Sequence, residues 1–234
     1  MTQTIYDMCK TKNFCPKHVA EVGVYLPETS NLLDFIQQNI RATLVEADPE
    51  MVERIRAYFR NQHAITIFPV AIFDYHGIVE FANAGASSFI TTLEATPALV
   101  NDNYQISENN KFTVEAKRFD EIDDGTIDLL SIDIEGAEWY VIKHMKSRPS
   151  VISIETHGKL YTNPFLKDIL MWMQDNNYQL WYKNTSDSVF IKKGVFEISF
   201  LEKTILFLAN LNHSIRRIKT KSILKLKQVL KWLK

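Results

Sequence analysis

Apolar and polar residues follow one another along the chain in blocks whose period switches between that of a strand and that of a helix. Residues 19–24 (VAEVGV) are a first apolar run of strand length. Over 31–39, Leu32, Leu33, Phe35 and Ile36 share one helical face. Residues 42–46 (ATLVE) read as a second strand. Asp48-Pro49 then opens a helix with an N-cap acid and a first-turn proline, and Met51, Val52, Ile55, Tyr58 and Phe59 continue it at helical spacing. The same reading predicts a third strand over 65–72, a short one over 78–82 after the turn at 74–77, and an extended piece over 112–116. A turn at 119–122 and a strongly apolar strand over 127–132 follow. A helix over 137–145, a strand over 151–155, a helix over 165–176 and an antiparallel pair over 178–183 and 188–192 complete the pattern. Strands that are apolar without alternation are buried on both faces. The chain is therefore expected to be α/β, with a mostly parallel sheet covered by helices on both sides and closed by the antiparallel pair.

Composition changes this picture at the two ends. The net charge of −1 conceals a division: residues 207–234 hold eight of the 27 Lys and Arg residues and no acid, which leaves 19 basic residues against 28 acidic ones in 1–206. In that tail Leu208, Leu211, Ile215, Ile218, Leu226, Val229, Leu230 and Leu233 form one helical stripe. Arg216, Arg217, Lys221, Lys227 and Lys231 fall mainly opposite, with Trp232 near an edge. The chain thus divides into a lead-in over 1–18, a catalytic-size domain over 19–200 and a basic amphipathic C-terminal helix over 204–234. Such a helix suits a membrane surface, where each basic residue close to anionic lipid adds on the order of 1 kcal/mol. Packing on the body or on a second copy uses the same stripe. Nucleic acid is not expected as a partner, because the tail has few aromatics for base stacking and the acidic body repels a phosphate backbone. Oligomeric state is not legible. Cys9 and Cys15, with only His18 nearby, fall short of the four ligands of a closed zinc site and read as reduced thiols. The first residues carry neither an export signal nor a membrane span, so the expected location is cytoplasmic, peripheral to the inner face of the membrane if the tail anchors there.

In an open parallel sheet, ligands bind at the carboxyl ends of the strands, and here those ends carry acids. Glu21-Val22-Gly23 ends the first strand, Glu46 the second, Asp133-Ile134-Glu135-Gly136 the apolar strand over 127–132, and Glu155-Thr156-His157 the next. Glu46 follows Gly23 at close to the spacing at which a carboxylate grips a ribose diol. A dinucleotide also needs a glycine-rich loop to cradle pyrophosphate. The loop here, EVGVYLPETSN, has one glycine and a proline. It disfavours a nicotinamide oxidoreductase and suits a ligand that carries positive charge instead of phosphate.

From Glu21 to about Lys193 the chain resembles the FkbM family of S-adenosylmethionine-dependent methyltransferases. The residues that carry the likeness are VEADP (45–49), PVAIFDYHGIVEF (69–81) with Ser87 and Ser88 after it, and above all IDLLSIDIEGAEWYVI (127–142) with its D-x-E-G-x-E loop. The family's first loop commonly has an aspartate and a second small residue, where this chain has Glu21 and Pro27. The resemblance implies a Rossmann-like class I methyltransferase fold and S-adenosylmethionine as cofactor. It puts Glu21 and Gly23 at the methionine end, Glu46 at the ribose, Ala71 near the adenine, and Asp133 beside the sulfonium and the acceptor.

Methyl transfer to a hydroxyl requires a base. Asp133 and His157 are the candidates, His157 because its pKa lies near neutrality and it follows a strand. Asp133, Glu155 and His157 could together orient a diol through a divalent metal, although the sequence alone does not call for one. Glu138, in the helix that follows, is compatible with a solvated face or a site role. The acceptor is expected to be a small molecule or glycan hydroxyl, the glycan resting on the family's habit; residues 82–110 and 158–164, which would shape its pocket, carry no recognisable code. A scaffold protein that retains the fold without catalysis is the remaining alternative.

Overall fold

A computed structural model describes residues 4–211. The elements run α1 (Ile5–Thr11), β1 (His18–Val22), α2 (Leu33–Gln37), β2 (Arg41–Val45), α3 (Pro49–Tyr58), β3 (Ile65–Phe68), β4 (Ala71–Ile72), β5 (Gly77–Ala82), β6 (Phe89–Ile90), α4 (Pro97–Asn101), β7 (Lys111–Lys117), β8 (Leu129–Ile132), α5 (Glu138–His144), β9 (Val151–Glu155), α6 (Leu166–Asp175), β10 (Tyr178–Lys183) and β11 (Asp187–Lys192). Residues 200–211 are helical (α7).

β1, β8 and β9 are buried at every position, which is why they read as continuous apolar runs. They lie within a seven-stranded sheet of order β10-β11-β9-β8-β1-β2-β3. β1 pairs in parallel with both β2 and β8, β2 with β3, and β8 with β9. β11 alone runs antiparallel, between β9 and β10. The chain winds outward from β1 to β3 and returns to β8 on the other side of β1, so a crevice opens between the carboxyl ends of β1 and β8. On one face α5 and α6 bring Val141, Ile142, Ile169 and Met173 against Leu130, Ile132 and Ile152. On the other, α1, α2 and α3 bring Cys9, Phe35, Ile36 and Ile55 against Val19, Leu44 and Leu129.

Local chemistry fixes the helix starts. Asp48 accepts from the Glu50 amide at 2.8 Å with Pro49 behind it, as its sequence predicts. α1, in the stretch expected to be a lead-in, is closed by a capping box between Thr4 and Asp7. Its Cys9 is buried and pushed up to about 12 by burial, while Cys15 is exposed, and no bridge joins them.

The expected third strand over 65–72 is two strands in two sheets. Pro69 has no amide to donate to a ladder, and the chain leaves the main sheet after Phe68. Ala71 and Ile72 instead pair with β7, in a second sheet of order β4-β7-β5-β6 that the sequence reading did not foresee. The helix expected over 31–39 is shorter and follows a single 3₁₀ turn at Pro27–Thr29. Most of the tail stripe lies outside the described residues. Within them α7 turns Glu202 inward, where its carboxylate meets Lys12 Nζ at 2.6 Å and Trp181 Nε1 at 2.9 Å. Phe200, Leu201, Ile205, Phe207, Leu208 and Leu211 are exposed. Among the described residues no helix is long and apolar enough to cross a membrane.

Candidate functional site

The carboxyl ends of β1, β2 and β8, with β4 and the β10–β11 turn, enclose a cavity of about 480 Å³. Glu21, Gly23, Glu46, Ala71 and Asp133 all line it. Gly23 makes this convergence possible. At φ +86°, it sits so close to the end of β8 that a Cβ would stand 1.8 Å from the Asp133 carbonyl oxygen. Its amide donates to Val45 at 2.9 Å, and the Asp133 amide donates to Val22 at 2.9 Å, so the three strand ends are held edge to edge.

The acids are not equivalent. Glu21 is 3% exposed; burial pushes it up to about 7, against hydrogen bonds that lower it. It accepts from the Ser30 hydroxyl and from the Asn31 amide at 2.9 Å. Glu46, expected to grip a ribose diol, is held by main-chain amides. Its Oε2 accepts from the amides of Val24 and Tyr25 at 3.0 and 2.7 Å, and Oε1 from that of Asp48 at 2.9 Å. Asp133 Oδ1 is screened from solvent and accepts no hydrogen bond, although the residue lines the cavity. Burial raises its carboxyl, and the carboxylates of Asp187, Glu138 and Glu21 raise it further.

The D-x-E-G-x-E loop folds around Glu138. This residue is 0% exposed, which removes the solvated-face reading. Its Oε1 accepts from the amides of Ile134 and Gly136 at 3.1 and 3.0 Å, and Oε2 from the Asn163 amide group. The turn needs Glu135 at φ +57° and Gly136 at φ +107°, and it carries Glu135 to the cavity wall.

His157 does not line the cavity. It is buried, its amide donates to Ser186 at 3.1 Å, and its Nδ1 lies 2.9 Å from the Thr156 hydroxyl. The trio with metal-binding geometry is Asp133, Glu138 and Glu155; Glu138 takes the place that the sequence reading gave to His157.

Several lining residues escaped the sequence reading. Phe81 and Phe112 stack with centroids 5.3 Å apart, brought together by the Phe81–Phe112 register of β5 and β7. Asn184–Asp187 line the opposite side from the β10–β11 turn. No local signal marks either, because each contributes through long-range pairing.

Taken together, Glu21, Glu46, Asp48, Asp133, Glu135 and Asp187 face this space, and among the described residues that line it there is no Lys, Arg or His. Such a wall favours a cation and repels phosphate.

A doubly wound sheet with an acid-lined crevice at its switch point is a Rossmann-like architecture. The family model described as "Methyltransferase FkbM domain" matches residues 18–180, and the chain belongs to that family of methyltransferases. No curated protein sequence matches the chain. Among solved structures, a Staphylococcus aureus protein assigned as a caffeoyl-CoA O-methyltransferase is similar at 13% identity and a TM-score of 0.46, with 80% of each chain covered. The methyltransferase domain of a bacterial Hen1 is similar at 11% identity and 0.44, covering 80% of this chain and 94% of that one. Aeropyrum pernix fibrillarin, solved with natively bound S-adenosyl-L-methionine, is similar at 10% identity and 0.42, covering 80% and 74%. These distant likenesses carry no argument about activity; the family rests on the sequence match.

Proposed function

We propose that this methyltransferase takes its methyl group from S-adenosylmethionine and delivers it to a hydroxyl oxygen of a small molecule or glycan. The observation that carries the reading is the cavity wall of six acidic side chains, with no basic one among the described residues that line it, at the carboxyl edge of β1 and β8. S-adenosylmethionine bears a sulfonium and an ammonium and no phosphate. In this reading Glu21 and Gly23 meet the methionine end and Glu46 the ribose. Ala71, with the stacked Phe81 and Phe112, forms the apolar wall for the adenine. The hydroxyl oxygen attacks the methyl carbon in line, the carbon–sulfur bond breaks, and its electron pair stays on sulfur. The hydroxyl proton passes to Asp133, which lines the cavity and supplies the base; His157 does not line it. Positioning supplies most of the rate, because no covalent enzyme intermediate is needed. The exposed apolar side of α7 supports a peripheral attachment to a cytoplasmic membrane face through 207–234.

Calorimetric titration with S-adenosylmethionine, S-adenosylhomocysteine and NAD tests the cofactor. Both adenosyl ligands are expected to bind and NAD is not. Failure of both to bind the folded protein overturns the reading.

A further inference from the structure

We propose that Asp133, Glu138 and Glu155 form a site for a hard divalent cation, Mg²⁺ or Mn²⁺, beneath the cavity. The three carboxylates come from the end of β8, the first turn of α5 and the end of β9, and one oxygen of each lies within 4.8 Å of the others. Octahedral coordination with bonds of about 2.1 Å separates neighbouring ligand oxygens by roughly 3 Å and opposed ones by roughly 4 Å. The cluster therefore needs to close by only about an ångström or two.

Glu138 is already oriented, since main-chain amides hold one oxygen and Asn163 the other. The remaining two ligands are not engaged. Asp133 Oδ1 and Glu155 Oε2 are both screened from solvent and accept no hydrogen bond. A leftover acceptor in the interior is costly unless something pairs with it.

A second feature that is not a carboxylate points to the same place. The Tyr161 side chain is 0% exposed and its hydroxyl has no partner. That hydroxyl lies 3.5 Å from where a Cβ on Gly136 would stand, inside the loop that carries Asp133 and Glu138. Burial and the surrounding carboxylates of Glu138, Glu155, Glu135 and Asp133 push its phenol up. Two acid oxygens without a hydrogen-bond partner and a buried, unpartnered phenol hydroxyl thus lie around the 133–138 loop and the end of β9. An all-oxygen donor set selects Mg²⁺ or Mn²⁺ over the softer metals that prefer thiolate or imidazole. Bound there, the ion would tie the 133–138 loop to the end of β9 and fix Asp133 at the cavity wall.

The test uses the full-length protein, freed of metal by chelation, with no adenosyl ligand present, so its outcome is independent of the methyl-donor reading. Mn²⁺ is titrated and its free aquo signal followed by electron paramagnetic resonance. The expected result is one Mn²⁺ taken up per chain and displaced by Mg²⁺. Glu155→Gln and Asp133→Asn should each weaken uptake at least tenfold, whereas Glu115→Gln, an exposed carboxylate on β7, should leave it unchanged. Thermal unfolding checks the fold: Mn²⁺ should raise the midpoint of the wild type and not that of Glu155→Gln. The metal-free variant should be at least as stable as the metal-free wild type. Absence of Mn²⁺ uptake by the folded wild type, or undiminished uptake by Glu155→Gln, overturns the site.

Discussion

Replacing Glu21 by glutamine should make the protein more stable, and more so as the pH rises. Glu21 is pushed from 4.5 to about 7, with burial the largest cause. Between those two values the native state keeps a proton that the unfolded chain has released, so stability falls as pH rises through the window. A shift of that size corresponds to at most about 3 kcal/mol, fully present below about pH 4.5 and lost by about pH 8. Glutamine does not titrate. Its carbonyl can still accept from the Asn31 amide and its amide group can donate to the Ser30 hydroxyl, which replaces both native contacts. Glu21→Gln should therefore match the wild type near pH 4.5 and exceed it by up to about 3 kcal/mol near pH 8. Urea unfolding of both proteins at several pH values measures this. Subtracting the two curves removes the other buried carboxyls, which titrate in both. A difference that stays constant across the pH range would refute the argument that Glu21 is held protonated by burial. Above about pH 7, where Glu21 carries its charge, the same variant should bind S-adenosylmethionine more weakly, because the charge it lacks there is the one proposed to meet the methionine end.

Gly23→Ala must separate a Cβ from an oxygen now 1.8 Å away and hold alanine at φ +86°. Left-handed backbone costs about 1–2 kcal/mol, and the sheet-edge bonds from Gly23 to Val45 and from Asp133 to Val22 are worth about 1 kcal/mol each. A loss of roughly 3–4 kcal/mol in chemical denaturation is expected; a loss under about 1 kcal/mol would show that the strand ends do not need this contact. For the tail, full-length protein should pellet with phosphatidylserine-containing vesicles and less so as salt is raised. A chain ending at Lys203, which keeps Glu202 and its bonds to Lys12 and Trp181, should stay in solution. Equal pelleting of the two would remove the membrane assignment.

What the sequence disclosed and what it hid follow from how far each feature reaches along the chain. β9 and β10 have the expected bounds, because an unbroken apolar run and an aromatic-rich one are local signals. The strand-end acids were legible for the same reason, since one rule about parallel sheets turns a strand boundary into a site. The break at Pro69 was visible as a residue, but its consequence was not. That a proline there hands Ala71 to a second sheet depends on β7, more than forty residues later. Glu138 shows the limit most plainly: a carboxylate at helical spacing is compatible with a solvated face or a site role until the loop before it closes over it and Asn163 arrives from beyond β9. His157 had the right chemistry and the right strand, yet its ring lies beside Thr156 and off the cavity wall.

The Glu46 carboxylate carries one further consequence. In the free protein it already has partners, the amides of Val24 and Tyr25, with Tyr25 held at φ +54°. Any ribose hydroxyl that approaches Oε2 of Glu46 competes with the protein's own first loop for it, while Oε1 carries the Asp48 amide. Hydrogen bonds to a charged acceptor are each worth about 1.5–3 kcal/mol, so giving up one of them lowers apparent affinity by roughly ten- to a hundredfold. On the proposed reading of the cavity the loop is therefore a built-in competitor for Oε2, keeping the carboxylate satisfied until a ligand hydroxyl takes a place on it.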